Sequence, residues 1–123
     1  VIFVLQLYEV NAVDAPAFTA AFDENGPWRH LTGRLRGYIH TDLLIRSTFP
    51  TVLLLLEFWQ SEQHYEIAER NAEVRGFLRS LRNLAVSHQN FGVFCFRSQW
   101  EKEMIQDSLF QMPADLSGWR VPQ

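Results

Sequence analysis

Lysine and cysteine are nearly missing from this chain: Lys102 and Cys95 are single occurrences in 123 residues. A lone cysteine excludes an internal disulfide framework and fits a reducing compartment. With ten arginines beside that one lysine, the cationic groups are almost all planar guanidiniums, suited to forked, positioned contacts. The formal net charge is −3, so no general basic field exists to hold nucleic acid or an anionic membrane. Long apolar runs are missing as well. Val52-Leu53-Leu54-Leu55-Leu56 is far too short to cross a bilayer, so no membrane partner is expected. The first ten residues lack the basic flank and cleavage pattern of a signal peptide, which makes the cytoplasm the expected location. Also absent are a Gly-rich phosphate loop, a G-x-S-x-G elbow and a catalytic cysteine motif. The histidines at 30, 40, 64 and 88 have no ligand spacing, so neither a metal nor a cofactor is expected unless distant residues converge.

What is present is apolar and aromatic. A hydrophobic content of 47% with 14% aromatics argues for one domain with a substantial core. Residues 1–10 are apolar at nearly every position of either parity, as in a central strand covered on both faces. A helix follows from about Asp14, is interrupted at Gly26-Pro27, and resumes with Trp28, Leu31 and Leu35. Residues 38–46 alternate, with Tyr38, His40, Asp42, Leu44 and Arg46 on one side and Ile39, Thr41, Leu43 and Ile45 on the other. Thr48-Phe49-Pro50 turns this strand into the next, forming a hairpin. In the strand at 51–59, Val52, Leu54, Leu56 and Phe58 share one face while Leu53, Leu55, Glu57 and Trp59 share the other. Ser61 offers an N-cap for a helix over about 62–85, whose buried stripe is Ile67, Val74, Leu78, Leu81 and Ala85. Gly76 sets a bend within it or divides it into two segments. A last strand over 90–97 precedes a weak helical pattern and a tail punctuated by Pro and Gly. These patterns divide the chain into a domain at 1–97 and a C-terminal extension at 98–123, which can dock on a partner subunit or cover a pocket mouth, with Trp100 and Trp119 as anchors.

The order strand, helix, strand, strand, helix, strand predicts an α+β, ferredoxin-like βαββαβ domain with a four-stranded antiparallel sheet. Two helical layers cover only one sheet face, yet three strands are apolar on both. A second copy packing sheet on sheet, giving a homodimeric α/β barrel, supplies the missing cover.

Two passages then carry a resemblance. Arg36-Gly37-Tyr38-Ile39 enters the second strand, and Leu56-Glu57-Phe58-Trp59-Gln60-Ser61-Glu62-Gln63-His64-Tyr65 leaves the third. With the element order, these resemble the antibiotic biosynthesis monooxygenase-like domains of the dimeric α/β-barrel superfamily. The resemblance implies a homodimer. It also implies, for some members, oxidation of electron-rich phenols or quinols to quinones by molecular oxygen without metal or flavin. Other members degrade haem, and many have no known reaction. Carried over by position, Trp59 and Tyr65 match pocket-lining aromatics, and Arg75 matches a second-helix arginine. Where quinone-forming members place an asparagine, four residues before the tryptophan, this chain has Leu55. The haem-degrading branch needs a helix tryptophan and histidine where Ala68 and Leu78 stand.

The expected function is therefore a cofactor-independent monooxygenase acting on a small aromatic phenol or quinol. The alternative is a non-catalytic, stress-responsive barrel that binds a small hydrophobic ligand. In the first reading Glu57 or His64 takes the substrate proton and Arg75 stabilises the anion, while Trp59, Tyr65, Trp28 and Leu55 contact the ring. Each residue also has a plainer reading. Glu57 can be held in a structural ion pair, His64 can be solvated in a first helical turn, and Trp59 can be ordinary core. The arginines at 70, 75, 79 and 82 alternate with glutamates as a salt-bridged helix face would.

Overall fold

The computed structural model describes residues 1–46 and 51–108. The turn expected at Thr48-Phe49-Pro50 and the anchor Trp119 lie outside the described residues. In chain order the elements are β1 (Ile2–Val10), α1 (Ala15–Ala20), α2 (Pro27–Thr32), β2 (Tyr38–Arg46), β3 (Thr51–Trp59), α3 (Glu62–Glu69), α4 (Ala72–Leu84), β4 (Ala85–Cys95) and α5 (Arg97–Ser108). The strands form one sheet in the order β2-β3-β1-β4. Every neighbouring pair is antiparallel. This is the ferredoxin-like arrangement expected from the element order.

Strand parity decides what is buried. Ile2, Val4, Gln6, Tyr8 and Val10 of β1 are buried, as are Leu53, Leu55, Glu57 and Trp59 of β3. These side chains lie under the helices. Tyr8, Val10, Phe18, Leu53, Leu55 and Leu81 form one core cluster. Ile2, Val4, Trp59, Tyr65 and Ala68 form a second. Side chains of the opposite parity (Phe3, Leu5, Leu7, Val52, Leu54, Leu56 and Phe58) are only partly buried.

Four local expectations are corrected. The long helix breaks at Arg70-Asn71 rather than Gly76, because the Asn71 side chain accepts hydrogen bonds from the backbone N–H groups of Glu73 at 2.9 Å and Val74 at 3.3 Å. That cap starts a new helix, whereas Gly76 passes through α4 as a regular turn. Because of the break, Ile67 leaves the core stripe and is 59% exposed, while Tyr65 and Ala68 turn inward. β4 begins at Ala85, not Asn90, since Ala85 adopts extended geometry directly at the end of α4. In β2 the register shifts between Tyr38 and His40, so Tyr38 joins the helix side while His40 stays on the outer face. The Tyr38 ring packs edge-on against Trp59 with centroids 5.4 Å apart.

Candidate functional site

The helix-side face has one feature a plain core lacks: a carboxylate. Glu57 is 2% exposed and no cation pairs with it among the described residues. Its Oε2 accepts a hydrogen bond from Gln6 Nε2 at 2.9 Å. β1 and β3 run antiparallel with Val4 opposite Glu57, so Gln6 lies two positions along on the same buried face. Burial pushes the Glu57 carboxyl up from 4.5 to about 7; the Gln6 donor and the nearby Trp59 indole pull against this, and the charge of Glu69 adds to it. The group therefore changes protonation near neutral pH, the range in which a general base is useful.

Glu57 borders a cavity of about 70 Å³ between the sheet and the α3–α4 pair. Gln6 and Trp59 complete its floor, and Tyr65, Ala68, Val74 and Leu78 form its helix wall. Glu69, Arg82 and Asn90, which are exposed, stand at its outer side. The Trp59 indole is 1% exposed, and its Nε1–H makes no hydrogen bond of good geometry among the described residues. A buried donor beside a cavity is poised for an acceptor that enters it. Tyr65 donates from its hydroxyl to Glu69 Oε1 at 2.5 Å. Burial first, and then that carboxylate, hold the phenol protonated well above its usual range.

The placement follows from local chemistry. Ser61 accepts a hydrogen bond from the backbone N–H of His64 at 3.2 Å, which starts α3 directly after β3. Tyr65, one turn into that helix, then falls over Trp59, with ring centroids 6.0 Å apart.

Of the residues expected at a site, the structure brings three to this cavity: Glu57, Trp59 and Tyr65. The other four lie elsewhere. The His64 ring packs over Gly37 with Nδ1 2.6 Å from Ser61 Oγ; a Cβ at position 37, where φ is +85°, would collide with it. Arg75 is exposed and does not line the cavity. Trp28 is buried with Phe22 and Phe77 and donates from Nε1 to Thr41 Oγ1 at 2.9 Å. Leu55 packs with Tyr8 and Phe18 in the other core cluster. Sequence reasoning missed Gln6, Glu69, Arg82, His88 and Asn90. For His88 and Asn90 the available signal was their shared parity, once the strand is started at Ala85. Among the described residues, no three His, Cys, Asp or Glu side chains gather as a metal site.

No family model and no curated protein matches the sequence. Solved structures do. One is SnoaB, a cofactor-independent oxygenase from Streptomyces nogalater, seen as a single-site variant, with a TM-score of 0.64 and 17% identity over 78% of this chain and 92% of that one. A second, from Nitrosomonas europaea, is provisionally named an antibiotic biosynthesis monooxygenase; its TM-score is 0.62 at 14% identity, covering 79% of this chain and 99% of that one. A third, described as an anthrone oxidase-like protein, has a TM-score of 0.61 and 13% identity over 76% of this chain and 42% of that longer one. At such identities the likeness is one of backbone. This chain has the ferredoxin-like α+β fold of the antibiotic biosynthesis monooxygenase-like proteins.

Proposed function

We propose that this protein is a cofactor-independent monooxygenase that oxidises a small electron-rich phenol or quinol with molecular oxygen, and that it works as a homodimer. The observation that carries the reading is Glu57: a buried carboxyl with no cation partner among the described residues, ionising near neutral pH, beside the buried Trp59 N–H at a cavity. The names of the structural neighbours, a cofactor-independent oxygenase and an anthrone oxidase-like protein, point the same way.

In this reading Glu57 accepts the substrate's phenolic proton, and Trp59 Nε1–H donates to the resulting oxyanion. Arg82, rather than Arg75, supplies positive charge at the cavity mouth. The electron-rich anion reduces dioxygen and a ring carbon forms a C–O bond to it. Loss of the hydrogen on that carbon breaks the O–O bond. One oxygen stays as the quinone carbonyl, and the other leaves as hydroxide, which takes a proton to become water. Desolvation raises the energy of the anion and makes its oxidation easier. At roughly 30 Å³ per water molecule, the cavity as it stands holds about two waters, less than an aromatic ring fills, so in this reading its helix wall yields as substrate enters.

The homodimer reading rests on the outer sheet face. Phe3 packs with Phe58, Phe94 and Phe96 at centroid distances of 5.6–5.7 Å, and Phe96 is still 51% exposed. A second copy laid on this aromatic group would cover it.

Oxygen uptake in metal-free buffer with a panel of hydroquinones and anthrones tests the enzyme reading. Glu57→Gln is expected to lower turnover by about 100-fold or more. Equal uptake by wild type and Glu57→Gln would end it. Leu55 favours the second reading, a barrel that only binds its ligand, because no asparagine points from that position. Saturable binding without oxygen uptake is its signature.

A further inference from the structure

Gln6 is a buried side chain that donates a hydrogen bond to Glu57, and its orientation is set from behind. Its Oε1 accepts from the Tyr8 hydroxyl at 3.2 Å and lies 2.8 Å from His88 Nε2. A glutamine amide has one acceptor end and one donor end, and only its partners decide which way it points. With Oε1 occupied by Tyr8 and His88, the Nε2 group faces Glu57. An N–H directed at a carboxyl favours the ionised form; a carbonyl there would favour the protonated form. His88 is part of β4, so it is fixed by the sheet, and its ring stacks on Tyr8 with centroids 4.4 Å apart.

We infer that His88 is a positioning residue: by donating from Nε2–H to Gln6, it holds the glutamine amide so that Glu57 is kept as a proton acceptor. The groups facing His88 agree with a neutral, donating ring. Burial, and then the positive charge of Arg82 from α4, lower its affinity for a proton. Tyr8 of β1 is itself held protonated, chiefly by burial. Glu57 of β3 and Tyr65 and Glu69 of α3 lie round the same cavity, and Gln6 stands between His88 and Glu57. Without the His88 donor only the Tyr8 hydroxyl at 3.2 Å still holds the amide, and a hydroxyl can accept as well as donate, so the Gln6 carbonyl can turn toward Glu57.

The inference rests on the reading of Glu57 as the base, and its test reads the carboxyl directly, without turnover. Carbon-13 NMR of the carboxyl in the full chain is expected to give a midpoint near 7 in the wild type. His88→Phe keeps a ring on Tyr8 but has no N–H, and should move the midpoint up by about one pH unit. His88→Gln, which retains a donor, should restore it. In a Gln6→Met background, His88→Phe should have no further effect, because the intermediary is gone. An unchanged midpoint in His88→Phe overturns the inference, as does an equal shift in the Gln6→Met background. Should His88→Phe fail to fold, the same comparison is made with His88→Leu. Lack of oxygenase activity with these shifts intact would sink the proposed reaction and leave the positioning role standing.

Discussion

The two faces of the sheet carry almost the same density of large apolar side chains but are solved differently. Under the helices, apolar packing surrounds a connected polar group of Glu57, Gln6, Tyr8 and His88. The outer face has its own carboxylate, Asp42, 2.6 Å from His40 Nε2, but both are about half exposed. Beside them lies an aromatic group built on Phe3. One face has desolvated its polar groups and acquires tunable proton chemistry. The other leaves apolar groups without cover among the described residues, which gives it a reason to associate. The same strand, β3, serves both through its two parities.

Charging the outer face should give the largest effect. Phe3→Asp places a carboxylate at the centre of the aromatic group, and a symmetric dimer would bury two. Dimerisation is expected to weaken by about 5 kcal/mol, more than a thousand-fold, as read by sedimentation equilibrium. A wild-type monomer at micromolar concentration would remove the dimer from the proposal altogether. Next in size is Leu55→Asn, on the helix side. It introduces the residue that the resemblance places there, yet Leu55 lies in the packed cluster and not on the cavity. Loss of apolar volume together with a buried amide should cost about 4 kcal/mol in urea denaturation, with no gain in oxygen uptake. A gain in uptake would show that the cavity extends to this position in the working state.

Much of this was legible in the sequence, and the failures have physical causes. Parity alone separates Glu57 and Trp59 from Val52, Leu54, Leu56 and Phe58, because a strand allows only two faces. The Ser61 cap fixes where α3 starts, which places Tyr65 over Trp59. The start of β4 was hidden because α4 passes into it without a turn residue; neither glycine nor proline marks the change at Ala85. His88 was lost with it. Arg75 and Arg82 are seven residues apart, so they share nearly one direction round the helix. They stand about 10 Å apart along it, and only Arg82 reaches the cavity. Helical periodicity gives the direction but not the axial position of a site in another element. The register shift in β2 has no sequence signature, and it moves Tyr38 to the side opposite that expected from alternation.

Glu57 gives the third effect, through pH. Its carboxyl binds a proton more tightly in the folded protein than in the unfolded chain. Between about 4.5 and 7 the folded state thus holds more protons, and its stability falls as pH rises through that window. The loss is on the order of 3 kcal/mol from this group, complete above the folded value. Glu57→Gln should remove that slope and leave the variant more stable than wild type at pH 8, as measured by denaturation at a series of pH values. An unchanged slope would mean that the buried carboxyl already finds a cation when the protein is in solution.

The smallest effect should come from Asp42, and its smallness is informative. Asp42 and Glu57 are both strand carboxylates with a neighbour at hydrogen-bond distance; they differ mainly in how much water reaches them. An exposed pair contributes well under about 1 kcal/mol, because water and side-chain entropy offset the attraction. Asp42→Asn in a monomeric Phe3→Asp background is therefore expected to change stability by less than that, with no effect on oxygen uptake. In the wild-type background the same substitution reads something else. If a partner sheet covers the outer face as far as β2, His40 and Asp42 lose water on association, and the dissociation constant should respond to Asp42→Asn. If the contact is confined to the aromatic group around Phe3, it should not. A larger effect on association than on monomer stability would extend the covered area to the β2 edge, and the contrast between the two carboxylates would then belong to the separated subunit alone.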